Sequence, residues 1–115
     1  MIKIKRVYDA PATDDGFRVL VDRLWPRGLS KEDAAIDLWL KDVGPTTTLR
    51  KWFGHDPVKW NAFKQKYKNE LRDAQTLVHQ LQTLESEQGT ITLLYGAKSE
   101  EHNQAVVLRE FMRGE

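Results

Sequence analysis

The sequence predicts an α/β fold: a single small domain in which a mixed, mostly parallel sheet of about four strands is flanked by helices. Three observations carry this prediction. Residues 19–21 (VLV) and 90–95 (TITLLY) are continuous apolar runs of strand-forming composition, as expected of strands covered on both faces. Between them Trp60, Phe63, Tyr67, Leu71, Ala74, Val78 and Leu81 recur at steps of three and four, the period of helices with one buried face. The chain has 115 residues, enough for one core and too few for two domains of usual size, so residues 1–115 form a single unit.

Ile2 and Ile4 alternate with Lys3 and Lys5, the pattern of an edge strand with one wet face. Residues 10–16 (APATDDG) form a turn in which Asp14 and Asp15 are turn formers, and Phe17 opens the second strand. Ser30, with Asp33 three residues on, caps about one helical turn. Ile36, Leu38 and Leu40 then alternate with polar neighbours and Trp39, predicting a third, half-exposed strand closed by Gly44-Pro45. No full crossover helix fits before this strand, so it is expected to run antiparallel to the second or to lie apart from it, which makes the sheet mixed. Residues 46–53 read as a short helix capped by a threonine and stopped by Gly54. Asp56-Pro57 starts the long helical stretch, with a break near 69–73 where Asp73 could cap a second segment. The run 90–95 belongs at the sheet centre beside 19–21. In the last helix Ala105, Leu108 and Met112 face inward, with Ser99 as its expected cap.

Composition excludes several classes. Eighteen Lys+Arg against 17 Asp+Glu give a net charge of +1, so no global field draws the protein to nucleic acid or to a membrane, and charge-based recognition must be local. The absence of cysteine removes disulfides, thiolate nucleophiles and Cys-ligated zinc together. No apolar run is long enough to span a membrane, and the N-terminus begins as a strand, so a cytoplasmic protein is expected. His55, His79 and His102 lack metal-binding spacing, and no P-loop, dinucleotide fingerprint or nucleophile elbow occurs; neither a metal nor a cofactor is predicted.

The strand–helix–strand arrangement makes the two apolar strands parallel neighbours, so the polar turns after them, 22–28 and 96–103, are expected to meet at the sheet's carboxyl edge, where open α/β sheets bind ligands. That corner is the candidate site. Arg23 and Arg27 can fork onto a phosphate or carboxylate, Lys98 adds a compact charge, and Asp22 would fix the arginines. His102, expected at a helix start beside Lys98, is the candidate acid or base, with Asn103 orienting the substrate. Trp25 borders the corner, and the loop holding His55 could fold over it. The competing reading is structural: Arg23 and Arg27 pair with Asp22, Asp42 or Glu101 and stack on Trp25, and His102 is a capping or surface residue.

The strings VDRLWPRGLSKE at 21–32, WLKDVGPTTTLRKWFGHDP at 39–57 and LLYGAKSEEHNQAVVL at 93–108 resemble the YeaO-like family of small bacterial proteins, a domain-of-unknown-function family, over nearly the whole chain. The resemblance implies an α/β fold and no transferable activity. Longer relatives in the wider group look similar at both turns but carry a cysteine-histidine-arginine-like segment where this chain reads His102-Asn103-Gln104, so thiol chemistry is out of reach here. Three functional readings are open. The first is a binder of a phosphate- or carboxylate-bearing small molecule, a nucleotide included, with or without turnover. The second is a nucleic-acid-binding or regulatory module using the same arginines with Lys64 and Lys68. The third is a protein-interaction or structural domain anchored by Trp39 and Trp52. Oligomeric state is open.

Overall fold

A computed structural model describes residues 1–115. Strands β1 (Ile2–Arg6), β2 (Phe17–Leu20), β3 (Leu38–Trp39) and β4 (Ile91–Tyr95) form one sheet in the order β1-β4-β2-β3. Helices α1 (Lys31–Ala34), α2 (Thr47–Phe53), α3 (Trp60–Arg72), α4 (Gln75–Gln88) and α5 (Gln104–Met112) surround it. The apolar runs explain the order. β4 is buried along its whole length between β1 and β2, and Val19 and Leu20 align with Leu93 and Leu94. Successive strand residues alternate faces. Val19, Val21, Leu93 and Tyr95 join the main core beneath α2 to α5 with Phe53, Phe63, Tyr67 and Leu108, whereas Leu20 and Leu94 form a second cluster with Val7 and Ala34, covered by Trp25, Leu29 and Ile36. No helix is long and apolar enough to cross a membrane.

The α/β class, the four strands and the edge position of β1 match the sequence reading. The antiparallel placement of β3, and with it the mixed sheet, does not: every pairing is parallel, Val19 aligning with Leu38 and Leu20 with Trp39. A parallel return needs about a dozen connecting residues rather than a long helix, and residues 21–37 supply the length with only α1 as ordered crossover. Ser30 caps α1 by accepting from the Asp33 amide, and Thr46 caps α2, which Gly54 ends in the left-handed region. Asp56 caps a 3₁₀ turn, Pro57–Lys59, ahead of α3. The break between α3 and α4 falls where expected, but α4 begins after Ala74 with no side-chain cap, so Asp73 does not serve as one.

Asp15 is no plain turn former. It is 4% exposed and takes the Arg18 guanidinium at 2.5 Å and the Lys5 ammonium at 3.2 Å, while Arg18 also donates to the carbonyls of Ala34 and Ala35. Burial pushes the Asp15 carboxyl up, but the Ala12 amide, Lys5 and Arg18 together hold it below its ordinary value. This network ties the first turn, β2 and α1 at the amino edge of the sheet. Arg18→Met, which leaves the buried carboxylate with only Lys5 and the Ala12 amide and frees two carbonyls, is expected to cost about 3 kcal/mol, read as a Tm drop of more than ten degrees; unchanged thermal unfolding would refute this role.

Candidate functional site

The carboxyl ends of β2 and β4 run out side by side, and one side chain joins the two segments beyond them. Asp22 accepts the Gly96 amide at 2.7 Å on one oxygen and the Gln104 side-chain amide on the other, while its carbonyl takes the Trp39 indole N–H at 2.7 Å. The predicted meeting of the two polar turns is therefore present. Space is tight on both sides of the junction. A Cβ at position 96 would stand 3.1 Å from the Asp22 carboxylate, and one at position 44 would stand 2.9 Å from the Val21 carbonyl. Gly44 thus lets the chain cross the end of β2 at contact distance and start α2 over the corner, where Glu70 holds Thr46 through both its amide and its hydroxyl. One turn into α2 stands Arg50, and at its end Phe53.

These elements enclose a cavity of about 340 Å³. Its apolar wall includes Pro26, Phe53 and Phe63, the two phenyl rings stacked at 4.3 Å. Its polar wall includes Asp22, Gln104 and Arg50. Arg50 is the residue that sequence reasoning missed. Its guanidinium has no carboxylate within ion-pair distance, and its Nε is the one buried side-chain nitrogen or oxygen in the protein with no hydrogen-bond partner. The available signal was its place next to Leu49 and one turn before Phe53, both buried, which turns it toward the core side of α2.

The nominated residues separate into groups. Asp22, Trp25, Arg27, His55, His102 and Asn103 all border the cavity, and Arg23 does as well. Arg23 is tied down, its Nε donating to Pro45 at 2.7 Å and its guanidinium reaching Asp42, so the ion-pair alternative describes it and not Arg27. Arg27 is exposed with no side-chain partner, while its carbonyl takes the Tyr8 hydroxyl. Trp25 braces the turn, donating to Leu29 at 2.6 Å and packing edge-on against Trp39. Asn103, not Ser99, caps α5: its oxygen accepts from Val106 and its amide donates to Ser99, which commits both ends. Ser99 instead accepts from the His102 amide, so residues 100–102 form a turn and His102 precedes the helix proper. The His102 ring lies 4.9 Å from that of Trp60. Lys98 is exposed and touches only the outer part of the cleft. His55 is exposed at the mouth with φ of 58°, a left-handed conformation directly after Gly54. Elsewhere, Lys64 and Lys68 share the one carboxylate of Glu110, and Trp52 lies beneath the ammonium groups of Lys59 and Lys66.

Burial raises the Asp22 carboxyl from 3.8 to about 6, against the opposing pull of the Gly96 amide and the Arg50 charge. The folded chain therefore holds this proton more tightly than the unfolded chain does. Below pH 3.8 the group is neutral in both states; as pH rises through the window to about 6, ionisation costs more in the folded state, and this contribution to stability is lost. The Asp22 carboxyl carbon is expected to titrate by NMR with a midpoint near 6, and the Asp22→Asn protein to lack the matching fall in urea resistance between pH 4 and pH 6. A midpoint near the ordinary value would contradict the buried assignment.

The family model for the Inactive DUF488-N3 subclade matches residues 1–115. The chain is 43% identical over 112 residues to the uncharacterized protein YeaO of Escherichia coli strain K12, covering 97% of this chain and 96% of that one. It is 35% identical over 113 residues to an uncharacterized protein of Mycobacterium tuberculosis strain H37Rv, covering 98% and 94%. No solved structure matches it.

Proposed function

The chain belongs to the Inactive DUF488-N3 subclade, a YeaO-like family of unknown function, and from that premise we propose that it binds a small organic anion in the cavity between the two turns, as a receptor rather than as an enzyme. The observation that carries this reading is Arg50. Its terminal guanidinium nitrogens make no hydrogen bond within the protein and are not closed off from the cavity, so they can meet a bound carboxylate or phosphate as a planar fork. The walls supplied by Phe53, Phe63 and Pro26 suit the body of such a molecule, and a volume of about 340 Å³ admits a ligand of about one ring.

Binding without turnover is supported by three features. The subclade is described as inactive, the chain has no thiol, and both oxygens of the one carboxylate at the cavity are already engaged by Gly96 and Gln104. Asp22 also sets a pH dependence. Its negative charge opposes an anion beside Arg50, so affinity is expected to rise as pH falls through about 6 and Asp22 takes up its proton.

Thermal shift with benzoate and with phenyl phosphate tests the reading. At a hundredfold excess over Kd, binding adds about 2.7 kcal/mol, a rise of several degrees for a domain of this size. Arg50→Met is expected to abolish the benzoate rise, and the benzoate effect in the wild type to be larger at pH 5.5 than at pH 7.5. Equal benzoate shifts in wild type and variant, or none in either, would refute the proposal.

A further inference from the structure

The cleft does not end at Arg50. Past Gly96 and Ala97 it opens into a wider basin of about 720 Å³ bordered by Arg27, His55, Pro57, Lys98, Ser99 and His102; Arg27, His55 and His102 border both compartments. The two compartments differ in chemistry. Inside, Arg23 is held by Pro45 and Asp42 and Arg27 stands at the border of both compartments, which leaves Arg50 against the nearby Asp22 carboxylate, a balance suited to one planar, singly charged group. Outside, Arg27 and Lys98 both lack side-chain partners, and Glu100 and Glu101, although exposed close by, form an ion pair with neither. The backbone N–H groups of Ala97, Lys98 and Ser99 have no acceptor within the protein. The Ser99 hydroxyl accepts from the His102 amide, which leaves its proton free to donate outward.

The outer cations are not held on a loose loop. The Tyr8 hydroxyl binds the Arg27 carbonyl at 2.9 Å, and the Trp25 indole closes the same turn onto Leu29. Across the cleft, Arg6 donates to the Ala97 carbonyl at 2.9 Å, fixing the strand exit that carries Lys98. Two cations, free amides and a hydroxyl on braced backbone suit a doubly charged tetrahedral group better than a carboxylate. The apolar surface of Pro26 and Phe53 belongs to the inner compartment, and Gly96 and Ala97 with Arg27, His55 and His102 line the junction to the outer one.

We propose that the ligand is a phosphorylated carboxylic acid with a short aromatic or apolar spacer, its carboxylate on Arg50 and its phosphate between Arg27 and Lys98. This deepens the small-anion reading and rests on it. The bifunctional ligand gains from both ends at once, since the second contact is made within a complex already formed.

Tryptophan-fluorescence titrations with benzoate, phenyl phosphate and 4-carboxyphenyl phosphate distinguish the two levels. In the wild type the bifunctional compound is expected to bind at least about tenfold tighter than either single-ended one. Arg50→Met should bring it down to the affinity of phenyl phosphate, Arg50→Lys should give an intermediate loss, and Arg27→Ala combined with Lys98→Ala should bring it down to the affinity that benzoate has for the same double variant. Circular dichroism establishes that each variant is folded. If benzoate binds through Arg50 but the bifunctional compound binds no tighter, the two-ended ligand is wrong and the cavity reading survives. If benzoate binding ignores Arg50, or nothing binds, both fall.

Discussion

The carboxylate of Asp22 is the contact on which the rest of the carboxyl edge depends. It lies just past β2, yet its two oxygens hold the exit of β4 through Gly96 and the start of α5 through Gln104, and the residue's carbonyl holds Trp39 of β3. A carboxylate taken from water is costly unless hydrogen bonds replace its hydration. Here an amide N–H and a side-chain amide do so incompletely, and the carboxyl remains well above its ordinary value. The same geometry dictates glycine at 96, where a side-chain carbon would press on the carboxylate, and glycine at 44, where one would press on the carbonyl of Val21. Two loops that no ladder of backbone hydrogen bonds connects are thereby held as one wall.

The two partly or wholly buried arginines at opposite ends of the sheet show how a structural guanidinium differs from an available one. Arg18, at the amino edge, meets a carboxylate and two backbone carbonyls, and Thr92 on the neighbouring strand donates to the carbonyl of Asp15. That end is closed. Arg50, at the carboxyl edge, meets none of these and keeps a buried nitrogen unsatisfied. Both residues are charged and both approach the core, so residue type does not separate them. Their partners do.

That difference also marks how far the sequence could be read. The strands at 19–21 and 90–95, the edge position of residues 2–6 and the helix starts at Ser30, Thr46 and Asp56 were legible, because apolar runs and capping chemistry are local signals. The meeting of the two turns came from the parallel arrangement of their strands. The direction of β3 was not legible, since a connection of intermediate length permits either sense and only its pairing with β2 decides. Ser99 and Asn103 are equally good caps four residues apart, and the structure uses one for the turn and the other for α5. Arg23 and Arg27 are the same residue type in the same turn, yet Asp42 and Pro45 reach only the first. Arg50 sat inside an ordinary helix pattern whose orientation over the sheet is set by Gly44, a tertiary constraint absent from any local window.

Backbone conformation at the cleft mouth leads to the same corner. Besides glycines, only Ala35 and His55 have positive φ, a region that costs a residue with a side chain roughly 1–2 kcal/mol. Ala35 has a structural account, since the Arg18 guanidinium takes its carbonyl at 2.9 Å. His55 has a different one. Gly54 ends α2 in the left-handed region, Asp56 caps the next turn, and the Asp56 amide bonds back to the Phe53 carbonyl, so the chain between two adjacent caps is left with one residue and one available conformation. That explains the backbone and not the choice of histidine, because glycine or asparagine would meet the same demand more cheaply. The imidazole makes no hydrogen bond within the protein, packs at 6.3 Å from Phe53, and borders both compartments of the cleft. The fold thus accounts for the left-handed backbone at 55, and it sets the imidazole where the inner cavity opens into the basin.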